Sequence, residues 1–390
     1  MARFAHGHAA HADPRTAFAQ AAAQLDAQAS IAAPTLGWLY LTDHFAGQAT
    51  ALLALAHARW PEVAWVGAVG IGICASGVEY FDRPALVLML ADLPREHFRL
   101  FSGAAPLPRE GFDAHTALVH ADPATPELAG LIGELAERMT TGYLFGGLAS
   151  GRARTLTIAG RVFQGGLSGV AFGDAVGIVS RVTQGCQPIG PARRIDDADG
   201  NLVVTLDGRP ALDMLFEDLG LAGLTPRDAL PRLRGTLVGL ADASADAGAH
   251  AGAFGADVRV RHLIGLEPGR RAIAIGDVAE AGTMLAFCQR DTDAARRDLT
   301  RICTEIRDEL ESAAPASSRL AGAVYVSCAG RGGPHFGAPS AELAIVQRAL
   351  GDVPLVGFFA AGEIGRRHLY GYTGVLTAFT ATGAEQQRSG

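Results

Sequence analysis

The sequence contains no lysine, so all 33 basic residues are arginine. That excludes a P-loop lysine, a Schiff-base lysine and a lysine general base. Cysteine is sparse: five residues, Cys74, Cys186, Cys288, Cys303 and Cys328, an odd number with no CxxC pair. Such a pattern fits reduced, intracellular thiols rather than a disulfide framework. Charge is low at 19% of residues, the net charge is −7, and no basic cluster occurs. The arginine doublets at 193–194, 270–271, 296–297 and 366–367 read as solvated surface pairs. A nucleic-acid partner needs a positive face and is not expected. No apolar run reaches the roughly 18 residues that would suggest a membrane span. The N-terminus, Met1 to His6, has no apolar leader core. A cytoplasmic protein is expected. No GxGxxG opens a helix, because Gly142–Gly147 follows one, so the dinucleotide-binding reading fails and no cofactor is expected. His6, His8 and His11 lack a neighbouring acid or thiol and read as an exposed or edge-strand segment rather than a metal site.

What the chain does contain is apolar sequence and glycine: 49% hydrophobic residues and 49 glycines in 390 residues. A chain of this length calls for two domains. The stretch Gly322–Phe379 reads as strand, glycine loop, helix, strand with a Val356-Gly357 step, second glycine loop and closing strand. Residues 37–90 repeat that order, with Val66-Gly67 at the step, and residues 116–172 repeat it again. Three irregularly spaced copies indicate duplication rather than a solenoid. The expected fold is α/β (mixed α+β), with duplicated strand-helix-strand-strand units forming mixed sheets. The domains are expected at 1–190 and 191–390. Between the second and third copies come short strands, a hairpin turn at Asp199-Gly200-Asn201, and a low-complexity loop at 241–254. A charged amphipathic helix follows, from Thr292 to about Ser312.

Glycine loops at strand tips are where α/β sheets bind ligands, and the third copy has the most chemistry there. Cys328 sits beside Gly330, Arg331 and Gly332, and a thiol near a guanidinium and loop amides tends toward thiolate. The plain reading is a small apolar residue closing a strand. Arg331 can clamp a carboxylate. Glu363, next to Gly362, can receive an ammonium or hydroxyl group. Together they suit an amino acid, and equally they can simply pair with each other. A nucleophile set of Cys328, His335 and Glu363 is formally possible, which would make an enzyme acting on acyl or thioester substrates. Asp43-His44 and His120/Asp122 hold the first-loop position in the other copies, and Ser76 and Ser150 the second. These are site-lining candidates, although polar caps on strand tips are common.

Cys328-Ala329-Gly330-Arg331-Gly332, then Gly357-Phe358-Phe359-Ala360-Ala361-Gly362-Glu363-Ile364-Gly365, then Tyr372-Thr373-Gly374-Val375-Leu376 resemble the C-terminal signature of the FIST family. Leu36–Leu90 and the Gly147-Leu148-Ala149-Ser150-Gly151 copy resemble its N-terminal region. Nearly the whole chain is covered. The family is named for F-box proteins and intracellular signal transduction. The resemblance implies a sensory domain for small ligands, amino acids among the candidates, in bacterial signalling, and an enzyme is the less expected alternative. With no room seen for an F-box or kinase segment, output would pass through a separate partner. The sequence departs from the family at Arg366-Arg367-His368, where Pro and Asn or His often follow the Gly-Glu-Ile-Gly element. A pure interaction scaffold is the remaining alternative.

Overall fold

The computed structural model describes residues 3–28, 31, 33–108, 110–221, 223–224, 226–241, 258–312 and 319–381. The low-complexity loop expected at 241–254 lies outside these residues apart from Ala241. The chain forms a mixed α and β fold divided into two compact units, Met1–Thr183 with Arg296–Gly390, and Gln184–Ala295.

The first unit holds three six-stranded sheets. Each is centred on a parallel pair joined through a helix: Leu36–Thr42 with Ala64–Gly70, Thr116–Ala121 with Tyr143–Leu148, and Arg319–Cys328 with Leu355–Ala360. The crossover helices are Ala49–Arg59, Leu128–Glu137 and Ala341–Leu350. The first strand of the pair is apolar almost throughout because both its faces are covered; all seven residues of Leu36–Thr42 are buried. Helix Leu128–Glu137 buries Leu128, Ile132 and Leu135, spaced at helical period. On the other side of each first strand lies the copy's closing strand: Ala85–Ala91, Leu167–Phe172 or Thr373–Ala381. An edge strand then completes that side: Phe4–Ala10, Phe98–Ser102 or Ile178–Gln184. His6 and His8 lie on the first of these edges, with the His8 ring hydrogen-bonded to the Tyr80 hydroxyl.

The far side of each sheet is completed by another copy. Hairpin Gly72–Ala75/Val78–Phe81 of the first copy adds to the second strand of the third. Hairpin Glu363–Arg366/His368–Tyr370 of the third adds to the second copy. Hairpin Thr157–Ala159/Val162–Phe163 of the second adds to the first. The exchange is cyclic, so none of the three sheets is made by one copy alone. The sequence reading made 70–77 and 360–365 loops. They are strands because their backbone partners lie in a different copy, which local periodicity does not register.

The glycine step has a steric cause. Gly67, Gly146 and Gly357 face Leu39, Val119 and Tyr325 across the parallel pairs. A Cβ at these glycines would stand 1.9, 2.0 and 1.7 Å from the facing carbonyl oxygen. In the middle copy the step reads Phe145-Gly146.

In chain order, the second unit interrupts the third copy between its edge strand and helix Thr292–Ser312. It is a closed antiparallel ring. Met284–Arg290 pairs with both Thr236–Ala241 and Arg193–Asp199. Leu202–Leu206, Ala272–Ile275 and Arg259–Glu267 connect the other two sides. Ile195, Val203, Val238, Ile273 and Phe287 fill its core. Closure leaves the ring strands without open edges. The expected turn forms with Gly200 at φ 61°. No helix among the described residues is long and apolar enough to cross a membrane.

Candidate functional site

At the end of strand Arg319–Cys328 the chain turns through Ala329-Gly330-Arg331-Gly332 into a short 3-10 turn, Gly333–Phe336, and then helix Ala341–Leu350. Arg331 folds back under this turn and is 1% exposed. Its partner is Glu342, in the first turn of the helix, and not Glu363. Nε donates to Glu342 Oε1 at 3.1 Å, and Nη2 stands 3.1 Å from the same oxygen. The Tyr325 hydroxyl donates to Glu342 Oε1 at 2.7 Å and the Ser327 hydroxyl reaches both carboxylate oxygens at 3.0 and 3.1 Å. The Arg331 guanidinium also lies 5.4 Å from the centre of the Phe336 ring, a cation–π distance. Burial works against this cation, but the facing Tyr325 and Glu342 hold its pKa above the ordinary value.

A second carboxylate arrives from the first copy. Glu79, on the exchanged hairpin, accepts from the Gly333 amide at 2.9 Å and the Leu343 amide at 3.3 Å. It therefore occupies the amino end of the helix, where anions are favoured. Burial, against those amide bonds and with the nearby Glu342 adding to it, raises its pKa to about 7.

Glu363 opens the third copy's hairpin and is fully buried. It pairs with Gly147, the residue after the close-approach glycine of the second copy. The matching positions in the other two hairpins, opposite Phe358 and Ala68, are Ile73 and Thr157. The acid is therefore a departure from the repeat. Its Oε2 accepts from the Thr373 amide at 3.1 Å and the Thr373 hydroxyl at 2.8 Å. Its Oε1 has no hydrogen-bond partner among the described residues. Burial raises the Glu363 pKa to about 8, although Thr373, Arg331 and the Cys328 thiol pull it down. Cys328 is half-buried. Burial and the facing Glu363 push its thiol up to about 12, against the amides of Gly330 and Tyr372 and the Arg331 charge. A protonated thiol at neutral pH is a poor nucleophile.

Cys328, Arg331 and Glu363 thus come together electrostatically. The other named residues hold the copies in place. Ser76 donates to the Val353 carbonyl at 2.6 Å and accepts from the Leu355 amide at 3.1 Å. Ser150 donates to the Phe359 carbonyl and accepts from the Ile71 amide at 2.9 Å. A Cβ on Gly332 would stand 2.2 Å from the Phe81 ring, and one on Gly362 would meet Leu369 and Leu148 at 3.1 and 3.2 Å. Aromatic and leucine packing therefore accounts for both glycines. The His335 ring packs on Phe336 with centroids 5.5 Å apart. His120 is fully buried with Nε2 3.0 Å from the Tyr40 hydroxyl, and burial lowers its pKa to about 3. Asp122 accepts from the Ala124 and Gly165 amides, each at 2.9 Å, and Asp43 pairs with Arg152 at 3.2 Å. Sequence reasoning missed Glu342, Glu79, Tyr325 and Thr373. Glu342 carried a signal, as an acid in the first turn of an expected helix, and Thr373 lay within the signature stretch Tyr372–Leu376.

The carboxyl of Glu363 makes stability pH-dependent. Its pKa is raised in the folded protein, so the fold retains a proton that the unfolded chain has released. Stability is full below the ordinary value of 4.5 and falls as pH rises to about 8. The slope for one such proton is about 1.4 kcal/mol per pH unit. Urea unfolding from pH 5 to 8 should show a clearly shallower decline in Glu363→Gln than in wild type. Parallel curves would show that Glu363 is ionised in the fold.

The lone acid in the third hairpin and the buried arginine ahead of it both lie within a recognisable family domain. The FIST N domain matches residues 35–209 and the FIST C domain residues 211–366. The chain belongs to the FIST family. Uncharacterized proteins of Mycobacterium tuberculosis and Mycobacterium bovis are each 33% identical to it over 386 residues. Those alignments cover 94% of this chain and 97% and 96% of theirs. FIST domains are sensory and signal-transduction domains. The FIST N match spans the first two copies. The FIST C match starts within the Gln184–Ala295 unit and ends at Arg366 in the third hairpin.

Proposed function

We propose that this FIST protein senses a small zwitterion, an amino acid or a related small carboxylate, at the loops around Cys328–Gly333 and Gly362–Thr373, and passes the signal to a separate output protein. One observation carries the reading. The Arg331 cation and the Glu363 carboxyl are fully buried in the same copy, and Arg331 Nη2, although ion-paired with Glu342, and Glu363 Oε1 both lack an aligned hydrogen bond among the described residues. Leaving Glu363 Oε1 unsatisfied costs about 1–3 kcal/mol. A ligand carboxylate on Nη2 would complete the contacts of the guanidinium, and a ligand ammonium on Oε1, with the Glu363 proton released to solvent, would remove that cost.

With Arg331 and Glu363 this deeply buried, uptake requires the loop to open. Tyr372, beside Thr373, holds a left-handed backbone at φ 61° without being glycine. That conformation stores roughly 1 kcal/mol or more of strain, which opening would release. Movement of Tyr372-Thr373 is then the change an output partner reads.

The test is thermal and urea stability of the full chain against the twenty amino acids and small carboxylates. A ligand at 100 times its dissociation constant should stabilise wild type by about 2.7 kcal/mol. Glu363→Gln should lose most of that. Absence of any stabilising compound, or equal stabilisation of the variant, refutes the reading.

A further inference from the structure

The closed-ring unit has a half-open pocket of about 330 Å³ between helices Ala211–Asp218 and Pro226–Gly235 and the ring strands. One wall is a fixed ion pair. Arg193 donates both arms of its fork to Asp218 at 2.6 and 2.7 Å, with 12% and 6% of the two side chains exposed. Gly190 lies so close that a Cβ there would stand 2.2 Å from Asp218 Oδ2. That carboxylate is neutralised and held.

The opposing group is different. Arg232 also lines the cavity. Its Nη1 donates to the Leu219 carbonyl at 2.8 Å, at the carboxyl end of the first helix. Its Nε and Nη2 make no bond among the described residues. Arg193 and Asp218 pair with each other, so the solvent-exposed Arg232 is the cation left on the lining. The Thr236 hydroxyl donates to the Arg232 carbonyl at 2.7 Å, fixing the backbone beneath the guanidinium. The remaining walls include Ile189, Leu219 and Pro231, which are apolar.

We propose that this cavity binds a small organic anion, with its carboxylate on the guanidinium of Arg232 and its apolar body against Ile189, Leu219 and Pro231. At about 30 Å³ for each water-sized volume, the space takes roughly ten non-hydrogen atoms. A fork and an apolar wall select a carboxylate with a hydrocarbon body. Inorganic phosphate would leave the apolar wall bare. This site is independent of the Arg331 and Glu363 reading, since none of its residues belongs to that unit.

The probe is 4-fluorophenylacetate, titrated into the full chain and followed by fluorine NMR. Wild type should bind it, and Arg232→Gln should weaken binding by about tenfold or more. Arg234→Gln, on the same helix but outside the cavity lining, should change it by less than about twofold. Glu363→Gln should leave it unchanged, which separates this site from the first. Should Arg232→Gln fail to fold, Arg232→Lys keeps the charge without the fork and should weaken binding by about threefold or more. The proposal is overturned by no binding to wild type at about 10 mM, an affinity barely above the millimolar range. Equal weakening in Arg234→Gln, or displacement of the probe by equimolar phosphate, overturns it as well.

Discussion

Arg331→Ala should destabilise the protein by about 3–5 kcal/mol, the range found when one partner of a buried ion pair is removed. The reason is what the substitution leaves behind. Glu342 is fully buried, and without Arg331 its charge is met, among the described residues, by the hydroxyls of Tyr325 and Ser327. Two neutral donors do not replace a cation in a region that water does not reach. The pair itself contributes little net stability, since desolvating both ions offsets most of their attraction. The double variant Arg331→Met/Glu342→Gln should therefore regain most of the loss. Urea unfolding of the three proteins measures both effects. A loss below about 1 kcal/mol for Arg331→Ala would mean that Glu342 is solvated and that the network around it is not closed. Arg331→Ala and Glu79→Gln should also differ, because Glu79 is held by the amides of Gly333 and Leu343 and not by a cation.

Gly357→Ala should be the most damaging small substitution, costing more than about 4 kcal/mol or preventing folding. The new Cβ would be 1.7 Å from the Tyr325 carbonyl oxygen and 3.1 Å from Cys74 Sγ. A backbone carbonyl cannot turn away as a side chain can. Relief would require the two parallel strands to separate, and hairpin Gly72–Ala75 is paired to the same strand. One methyl group would thus disturb contacts between two copies. Gly133→Ala is the contrast. It sits within helix Leu128–Glu137, and its Cβ would meet nothing within 4 Å. There the gain in helix propensity applies, up to about 1 kcal/mol. Melting curves of both variants distinguish a steric requirement from general glycine flexibility. A Gly357→Ala protein within about 1 kcal/mol of wild type would refute the close-approach argument.

Much of the candidate site was legible before any tertiary information. Arg331 and Glu363 stood out as charges set in glycine-rich, apolar sequence, and Cys328 as a thiol at a strand tip. Their pairing was not legible. Arg331 has two carboxylates near it, and whether Glu342 or Glu363 takes its Nε depends on which way the Gly330–Gly333 turn folds, a choice without a periodic signature. Glu79 was invisible for a different reason: it reaches Gly333 across a separation of 254 residues. Ser76 and Ser150 were found at the right strand tips, but as staples between copies their hydroxyls bond backbone groups of the third copy.

Local sequence was sufficient for what local sterics and burial decide. Continuous apolar runs marked strands covered on both faces. The valine-glycine step marked where two strands approach too closely for a Cβ, and its recurrence exposed the duplication. Only the tertiary structure decided which copy completes which sheet, because a hairpin such as Gly72–Phe81 presents the same backbone groups to any edge and its partner is chosen by packing. It also decided that the third copy runs across the inserted ring, with Ile178–Gln184 joining the sheet of Arg319–Cys328. The stretch at Gly322–Phe379 therefore remains one repeat in sequence. In space its sheet is closed by the first copy, and its own acid-bearing hairpin is given to the second.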